Sequence, residues 1–318
     1  MTNTDFSQPL ATRDGFGLGL IKAAEKDPNI VVLCADLDGS LRLRNFAKKF
    51  PQRFIQVGVA EQNLVGVAAG LALTGKKPFI ASFASFMPGR TYDQIRHSIA
   101  YSNLNVTIVG GHAGLATGPD GATHQMLEDI AMMRAMPNMT VVQPCNAEQA
   151  AQATQALAEY NGPAYLRLSR PKINGINTPK NFEIGQAQIL KQGLDITLIA
   201  SGIVVKEALE VAQELAQQGI SARVINLHTI KPLDQQKIFN AYQETKAIVT
   251  IEDHQIAGGV GSAVAEFITS ELGKSLKQAK PVIRIGVEDQ FGESGEKEKL
   301  YEKYGLTKEK ILEKIKSA

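Results

Sequence analysis

The chain of 318 residues contains no tryptophan, only two cysteines and no long uninterrupted hydrophobic run. Cys34 and Cys145 lie far apart and give neither a disulfide framework nor a zinc-site spacing, so they predict reduced thiols. No stretch approaches the roughly 18 apolar residues of a membrane-spanning helix, and the first 15 residues lack the pattern of a secretory leader. These absences predict a cytoplasmic protein.

The sequence also has little net charge. It carries 34 Lys and Arg against 32 Asp and Glu, a formal net charge of +2, and nothing in this balance indicates a nucleic-acid or membrane partner. A content of 44% hydrophobic and 21% charged residues is typical of a soluble globular protein, with length enough for two domains. The Lys- and Glu-rich segment from Glu293 onward predicts solvent-exposed helix.

Several catalytic and binding motifs are missing. There is no GxGxxG after the first predicted strand, no GxxxxGK[ST], no GxSxG and no HExxH or CxxC. The usual dinucleotide fingerprint, the P-loop, the hydrolase elbow and common zinc sites are therefore not supported, and no metal ligand is predicted in this chain.

Apolar runs of strand length alternate with helical segments along the whole chain, which predicts an α/β protein. Residues 169–185, rich in Pro, Gly and Asn, interrupt this alternation and predict a linker. We therefore expect two doubly wound domains with mainly parallel sheets, covering residues 1–180 and 181–318. Predicted strands lie at 30–35, 54–57, 78–82, 106–109, 140–143, 164–168, 196–200, 222–227, 247–251 and 282–287, and predicted helices include 204–217 and 258–270.

Polar and aromatic residues follow the predicted strands of the first half. Because ligands of an open parallel sheet bind beyond the carboxyl ends of its strands, this set predicts a site at one sheet edge. Its members are Asp36, Ser40, Glu61, Phe83, Phe86, His112, Asp120, His124 and Arg170, with Arg13 at the start of the first helix.

Glu61 is the most informative member of this set. It follows a short strand and a Gly58 turn, begins a helix, and is the last charged residue before Lys76. A carboxylate at the mouth of an apolar helix can hold a proton for chemistry, and it can equally be a first-turn acid favoured by the helix dipole. The residue types alone leave both interpretations open.

The other residue types allow similar alternatives. Phe83 and Phe86 are suited to gripping a flat heterocycle or to packing in a core. The segment 110–125 holds five glycines and predicts a loop whose histidines and aspartate bind hydroxyls or move protons. Arg13 and Arg170 are suited to one shared anion, with surface ion pairs as the alternative.

The second half offers fewer candidates. The GGVG at 258–261 opens a helix and is either an anion site or a tight turn. His228 and His254 are interpreted as structural or interfacial residues.

Eight motifs, in order along nearly the whole chain, resemble the C-terminal half of transketolase, which combines the pyrimidine-binding domain of thiamine-diphosphate enzymes with a C-terminal domain. They are ATR (11–13), ADLDGS (35–40), VGVAEQN (57–63), FASF with TYDQIR (83–96), GGHAG…GPDGATHQ (110–125), LSRP (168–171), TIKPLD (229–234) and EDH…GGVG (252–261).

The resemblance implies a role for each candidate residue. Glu61 would hydrogen-bond the aminopyrimidine of thiamine diphosphate and activate the cofactor, and His124 would act beside it in catalysis. Phe83 and Phe86 match the pyrimidine pocket, and Asp36 matches an acid next to the cofactor. The remaining positions match substrate contacts: Arg13, Ser40, His112 and Arg170 for a sugar phosphate, and Asp120 together with His124 for hydroxyls.

The sequence departs from the family pattern at two places. The GDG…Asn motif that binds Mg²⁺ and the diphosphate belongs to the N-terminal half of the family and is absent here. This absence predicts a partner subunit that carries the motif and the Mg²⁺, with self-association as a dimer or as an α2β2 tetramer with the partner. Gly89 stands where some transketolases have a third aromatic residue.

The resemblance therefore implies the C-terminal subunit of a two-chain transketolase, which moves a two-carbon ketol unit between phosphosugars. The alternatives are a subunit similar to 1-deoxyxylulose-5-phosphate synthase or to the β-chain of 2-oxo acid dehydrogenase E1, and a non-catalytic partner of the same fold. The identity of the sugars, and whether the anion is a phosphate or a sulfonate, stay open.

Overall fold

The computed structural model describes residues 6–174 and 176–317. Residues 1–5, which are part of the stretch inspected for a leader, lie outside the described residues, as do Gly175 in the predicted linker and Ala318. The described chain alternates strands and helices around two sheets.

The strands are β1 (Ile30–Cys34), β2 (Phe54–Gln56), β3 (Lys77–Phe83), β4 (Thr107–Gly111), β5 (Thr140–Val142), β6 (Ala164–Arg167), β7 (Gln188–Lys191), β8 (Ile196–Ala200), β9 (Ala222–Asn226), β10 (Thr229–Lys231), β11 (Ala247–Gln255) and β12 (Val282–Val287). The helices are α1 (Thr12–Lys26), α2 (Arg44–Lys49), α3 (Glu61–Leu73), α4 (Tyr92–Gln94, continued by a π-helical turn over Ile95–Ala100), α5 (Asp129–Ala135), α6 (Ala147–Glu159), α7 (Val205–Gln217), α8 (Gln235–Glu244), α9 (Val260–Glu271), α10 (Lys297–Lys303) and α11 (Lys308–Ser317). Short 3₁₀ turns lie at Pro51–Arg53, Leu115–Asp120 and Gly202–Val204.

The two sheets confirm the predicted α/β class. The first sheet has seven strands in the order β10-β5-β6-β4-β3-β1-β2, and only β10 runs antiparallel to its neighbour. The second has five strands in the order β12-β11-β8-β9-β7, and only β7 is antiparallel. Neither antiparallel strand was predicted, because each is a short edge strand of three or four residues without a clear apolar alternation.

Strand β10 joins the two halves of the chain. It follows β9 of the second sheet directly in sequence, yet it pairs with β5 at the edge of the first sheet. The buried apolar core likewise runs between the halves, since Ile108 and Tyr165 of the first sheet belong to the same cluster as Ile225 and Ile248 of the second. The halves are therefore packed against each other rather than separated by a free linker.

Helices α1 and α6 pack backbone to backbone. A Cβ added to Gly15 would lie 1.8 Å from the Ala147 carbonyl oxygen, and one added to Gly19 would lie 2.5 Å from that of Ala151. Only glycine permits this approach. The close packing fixes α1, and with it Arg13 in its first turn.

The C-terminal segment differs from its prediction. It forms α10 and α11, as expected for helix, but Leu300, Tyr301 and Ile311 are almost completely buried. The prediction of a solvent-exposed tail was wrong because the apolar stripe is spaced at helical intervals between Lys and Glu residues, which dominate the local composition.

The GGVG segment is not a free anion site. At the start of α9, the Glu252 carboxylate accepts hydrogen bonds from the backbone N–H groups of Val260 at 2.7 Å and Gly261 at 2.8 Å. A Cβ at Gly259 would lie 1.9 Å from this carboxylate, so the glycine makes room for it. The chain supplies its own anion to this helix terminus.

Three of the five histidines are buried and resist protonation. Burial lowers the pKa of His112 to about 3, aided by the charge of Arg13, and lowers the pKa of His228 and of His254 to about 4. The stability that these neutral rings contribute is present above their unfolded pKa of about 6.5 and is lost as pH falls toward the folded values. His228 and His254 also hydrogen-bond within the fold, which fits a structural role.

We therefore expect the free energy of unfolding to decrease on acidification from pH 7 to pH 5, by up to about 1.4 kcal/mol per pH unit for each buried histidine. Glu252 opposes this trend, because burial raises its pKa to about 7 and it takes up a proton more readily in the folded state. Urea denaturation at several pH values measures the net slope. His228→Asn should flatten it, whereas His97→Gln, at an exposed position, should not; equal slopes in both variants would contradict the prediction.

Candidate active site

The predicted site residues meet at the carboxyl edge of the first sheet. Asp36 follows β1, Glu61 follows β2, Phe83 ends β3 and His112 follows β4. These four strands are neighbours in the sheet, so their ends lie side by side. The structure thus brings the residues together as a single group.

Glu61 lies at the first turn of α3 with only 2% of its side chain exposed. Its Oε2 accepts a hydrogen bond from Arg90 Nη1 at 2.8 Å, and the Arg90 side chain is 49% exposed. Arg90 was not among the predicted site residues, because in the sequence it is only an isolated cation between FASF and TYDQIR. The buried carboxylate therefore has one exchangeable cationic partner that reaches it from solvent.

An aromatic cluster lies next to Glu61. The rings of Phe83 and Phe86 stack with centroids 5.8 Å apart, and His112 lies over Phe83 at 3.9 Å. His124 meets Phe86 edge-on at 5.4 Å. The guanidinium carbon of Arg90 lies 4.7 Å from the centroid of Phe86, over its face. Phe86 thus presents a ring face that already accommodates a flat polar group.

Two site residues adopt left-handed backbone conformations. Asp36 has φ 59° and His112 has φ 56°, a region that costs non-glycine residues about 1–3 kcal/mol. The Asp36 N–H donates to Gln56 Oε1 at 2.7 Å, which helps to hold this turn. Such strain at the ends of two sheet strands points toward a functional reason for these conformations.

Arg13 connects the first helix to His112. Its Nη1 donates to the Ser40 carbonyl oxygen at 3.0 Å and lies 2.9 Å from His112 Nε2. Since arginine only donates, Nε2 must accept and the imidazole proton must lie on Nδ1. Within the described part of the chain, His112 Nδ1 and Arg13 Nε are buried without a hydrogen-bond partner. They are donors to which the described part of the fold offers no acceptor, whereas Ser40 contributes its backbone oxygen.

Arg170 lies on the same cavity as Arg13. Its Nη1 donates to the Thr117 carbonyl oxygen at 2.6 Å and lies 3.5 Å from Asp120 Oδ1. Both arginines line a cavity of about 450 Å³ that also contains Lys172. This arrangement is suited to an anion.

The glycine-rich loop is more ordered than predicted. Residues Leu115–Asp120 form a 3₁₀ turn that is broken at Gly118, where φ is 77°. Asp253 of the second sheet accepts hydrogen bonds from the N–H groups of Leu115 at 2.8 Å and Ala116 at 3.2 Å. The second half of the chain therefore holds the loop that carries Asp120 and His124, a role that the EDH motif alone did not reveal.

Other site classes find little support. Among residues 6–174 and 176–317, no group of three or more His, Cys, Asp or Glu side chains could hold a metal ion. No helix in this described part is long and apolar enough to cross a membrane. Cys34 and Cys145 are free and buried, and burial raises the pKa of both thiols, that of Cys34 to about 12.

Two family models and several known proteins are similar to this chain. Residues 8–175 match the family described as transketolase, pyrimidine binding domain, and residues 185–311 match transketolase, C-terminal domain. A transketolase C-terminal section of Methanocaldococcus jannaschii is 47% identical over 307 residues, covering 95% of this chain and 94% of the relative. A 6-deoxy-6-sulfo-D-fructose transketolase subunit of a Clostridium species is 42% identical, with 94% and 92% covered.

A solved structure is also similar to this chain. A split-gene transketolase, determined as an inactive β4 tetramer, superposes with a TM-score of 0.89 and 43% identity, over 97% of this chain and 98% of that one. The similarity thus extends over both sheets and over almost the full length of each protein. The chain therefore belongs to the transketolase family and contains the pyrimidine-binding and C-terminal domains of that family.

Proposed function

We propose that this chain is the C-terminal subunit of a two-chain transketolase that transfers a two-carbon ketol unit between phosphosugars. The observation that carries the proposal is the common position of three features at one sheet edge: the buried Glu61, the half-buried Phe86 whose ring face carries a planar guanidinium, and the arginine-lined cavity. A ketol transferase needs all three, because it must activate a cofactor, hold its ring and bind an anionic sugar.

The residues fit thiamine diphosphate. A planar group with N–H donors already hydrogen-bonds Glu61 and covers Phe86, and an aminopyrimidine is likewise planar and carries an amino N–H donor. When bound, the cofactor supplies the carbon that takes up the two-carbon unit. Glu61 would hold a proton at the pyrimidine, Phe83 and Phe86 would position the ring, and Asp36 would lie beside it.

The substrate residues fit an anionic sugar. His112 is neutral at physiological pH, since its pKa is lowered to about 3, so the positive charge of the cavity comes from its two arginines and from the lysines that line it. We assign the cavity to the phosphate of the sugar, and Asp120 and His124 to its hydroxyl groups. The Clostridium relative is named for a sulfonated sugar, and a sulfonate offers the same tetrahedral oxygen acceptors, so it is the second candidate anion.

An exposed face of α3 supports a partner subunit. Val59 and Leu73 are 74% and 75% exposed, and hypothetical Cβ atoms at Gly66 and Gly70 would meet nothing within 4 Å. This exposed face carries no charge, and the helix that bears it begins at the buried active-site glutamate, so the face is suited to burial against another chain. We infer that the subunit carrying the GDG…Asn motif, thiamine diphosphate and Mg²⁺ assembles with this chain, as part of an α2β2 tetramer.

Gly66→Leu tests this face. Leucine should strengthen α3 by a few tenths to about 1 kcal/mol in the isolated chain, because glycine is unfavourable inside helices, yet it should weaken assembly about 10–100-fold by overpacking the interface. Urea denaturation and analytical ultracentrifugation of the mixture measure the two effects. Ala216→Leu, at an exposed position of α7, is the matched control and should assemble normally. Unimpaired assembly of Gly66→Leu would rule out this face as the contact with the partner subunit.

Reconstitution tests the proposed function. The chain is mixed with a subunit that bears GDG…Asn, thiamine diphosphate and Mg²⁺, and ketol transfer from a ketose phosphate to an aldose phosphate is measured. We expect transfer by the mixture and none by either subunit alone. Consumption of pyruvate or a branched 2-oxo acid instead would favour the synthase-like or dehydrogenase-like alternatives, and failure of the complex to bind the cofactor would favour a non-catalytic partner.

A further inference from the structure

Arg90 fills the place beside Glu61 that the proposed function gives to the pyrimidine ring. Its Nη1 lies 2.8 Å from Glu61 Oε2, and its guanidinium carbon lies 4.7 Å from the centroid of Phe86. One planar group thus makes both the hydrogen bond and the ring contact. A pyrimidine ring with the same two contacts would need the same volume, so the two groups exclude each other.

We propose that Arg90 closes the pyrimidine site of the unassembled subunit and must leave Glu61 before the cofactor can bind there. This inference rests on the proposed function, because it assumes that Glu61 and Phe86 bind the pyrimidine. It assigns to Arg90 an autoinhibitory contact, for which neither the sequence motifs nor the family resemblance gives a role.

The burial of the two side chains determines which of them moves. Glu61 is 2% exposed and Arg90 is 49% exposed, so the guanidinium can turn into water while the carboxylate stays inside. A buried carboxylate without a hydrogen-bond donor is strongly unfavourable. Arg90 therefore leaves most easily when another N–H donor takes its place, and ligand binding becomes an exchange of one partner of Glu61 for another.

The backbone around Arg90 is held in a turn. The Arg90 N–H donates to the Phe86 carbonyl oxygen at 3.2 Å, and a Cβ at Gly89 would lie 2.5 Å from the Ser85 carbonyl oxygen. The glycine thus lets the turn close tightly. Because the main chain is fixed at this point, the exchange requires rotation of the Arg90 side chain rather than refolding of the segment.

The test measures binding of 4-amino-5-hydroxymethyl-2-methylpyrimidine, the pyrimidine half of the cofactor, to the isolated full-length subunit by NMR titration. We expect Arg90→Ala and Arg90→Gln to bind this probe about tenfold more tightly than the unchanged chain, because a charge-assisted hydrogen bond no longer has to be broken. Arg90→Lys should bind the probe with an affinity between those of Arg90→Ala and the unchanged chain. Arg96→Ala, at a neighbouring exposed position, should leave the affinity unchanged.

The gain must also depend on Glu61. Arg90→Ala combined with Glu61→Gln should lose the tighter binding, since the carboxylate that receives the probe is gone. If Arg90→Ala binds the probe no more tightly than the unchanged chain, the inference is wrong, and weaker binding would show that Arg90 instead supports the ring. The proposed function fails separately, when the complete assembly with its partner binds no thiamine diphosphate.

Discussion

Glu61→Gln is expected to lower the ketol-transfer activity of the assembled enzyme on the order of 10²–10⁴-fold, the usual contribution of a positioned proton-transfer group. Glutamine has nearly the same size and can still meet Arg90, but it cannot accept a proton at the pyrimidine. Initial rates at saturating thiamine diphosphate, Mg²⁺ and partner subunit measure the effect.

The assembly of this variant should be intact, because α3 begins with the same backbone and its exposed face is unchanged. Sedimentation of the mixture checks this point separately from the rate. Glu159→Gln, the same substitution at an exposed position of α6, serves as control and should be fully active. Activity of Glu61→Gln close to that of the control would remove Glu61 from the mechanism.

Arg167→Met should lower the free energy of unfolding by about 3–5 kcal/mol. This is the largest loss of stability expected of the substitutions proposed for this chain. Arg167 and Asp129 are 1% and 0% exposed, and the arginine Nε donates to Asp129 Oδ2 at 2.7 Å. Tyr165 Oη donates to the same oxygen at 2.7 Å. Removal of the guanidinium leaves a buried carboxylate with one neutral partner, which is why the expected cost is high.

This arginine also links the two sheets, since its Nη2 donates to the Asp253 carbonyl oxygen at 3.1 Å. Urea denaturation measures the loss. Arg167→Met combined with Asp129→Asn should recover part of it, because no charge then remains unpaired. Lys246→Met is the control, because it breaks an ion pair whose lysine is 82% exposed. It should lower the free energy of unfolding by less than about 1 kcal/mol. An equally small loss for Arg167→Met would show that the buried ion pair is not important for stability.

Strand positions followed from the sequence because the central strands of a parallel sheet are buried on both faces. The segment IVVLC of β1 is buried at every position, as is ITLIA of β8, and such continuous apolar runs are visible in a single sequence. The edge strand β10 could not be predicted in this way, because it is only three residues long and pairs with a strand from the other half of the chain.

The same reasoning explains which parts of the site were predictable. Asp36, Glu61, His112 and Arg170 each follow a parallel strand, so the rule that ligands bind at the carboxyl edge was enough to group them. The arrangement of Arg13 against His112 was not predictable, because the two residues are 99 positions apart and meet only when α1 packs on the sheet. The tautomer of His112, with its proton on Nδ1, was not predictable either, because the contact with Arg13 imposes it.

Contacts between distant segments also corrected the sequence analysis. Glu252 fills the helix terminus that GGVG appeared to offer to a ligand, and Asp253 holds the loop before Asp120 from 138 residues away. Periodicity and spacing describe what one segment can do by itself. They carry no information about which side chain of another segment arrives there.

The sequence by itself determined the α/β class, the carboxyl-edge position of the candidate residues and the motifs that resemble transketolase, because all of these depend on local patterns and on order along the chain. Only the tertiary structure decided that Glu61 is buried and paired with Arg90, that the Arg90 guanidinium lies over the Phe86 ring, and that α3 exposes an uncharged surface. These properties arise from packing between elements, and a burial or an ion pair exists only once both partners are in place.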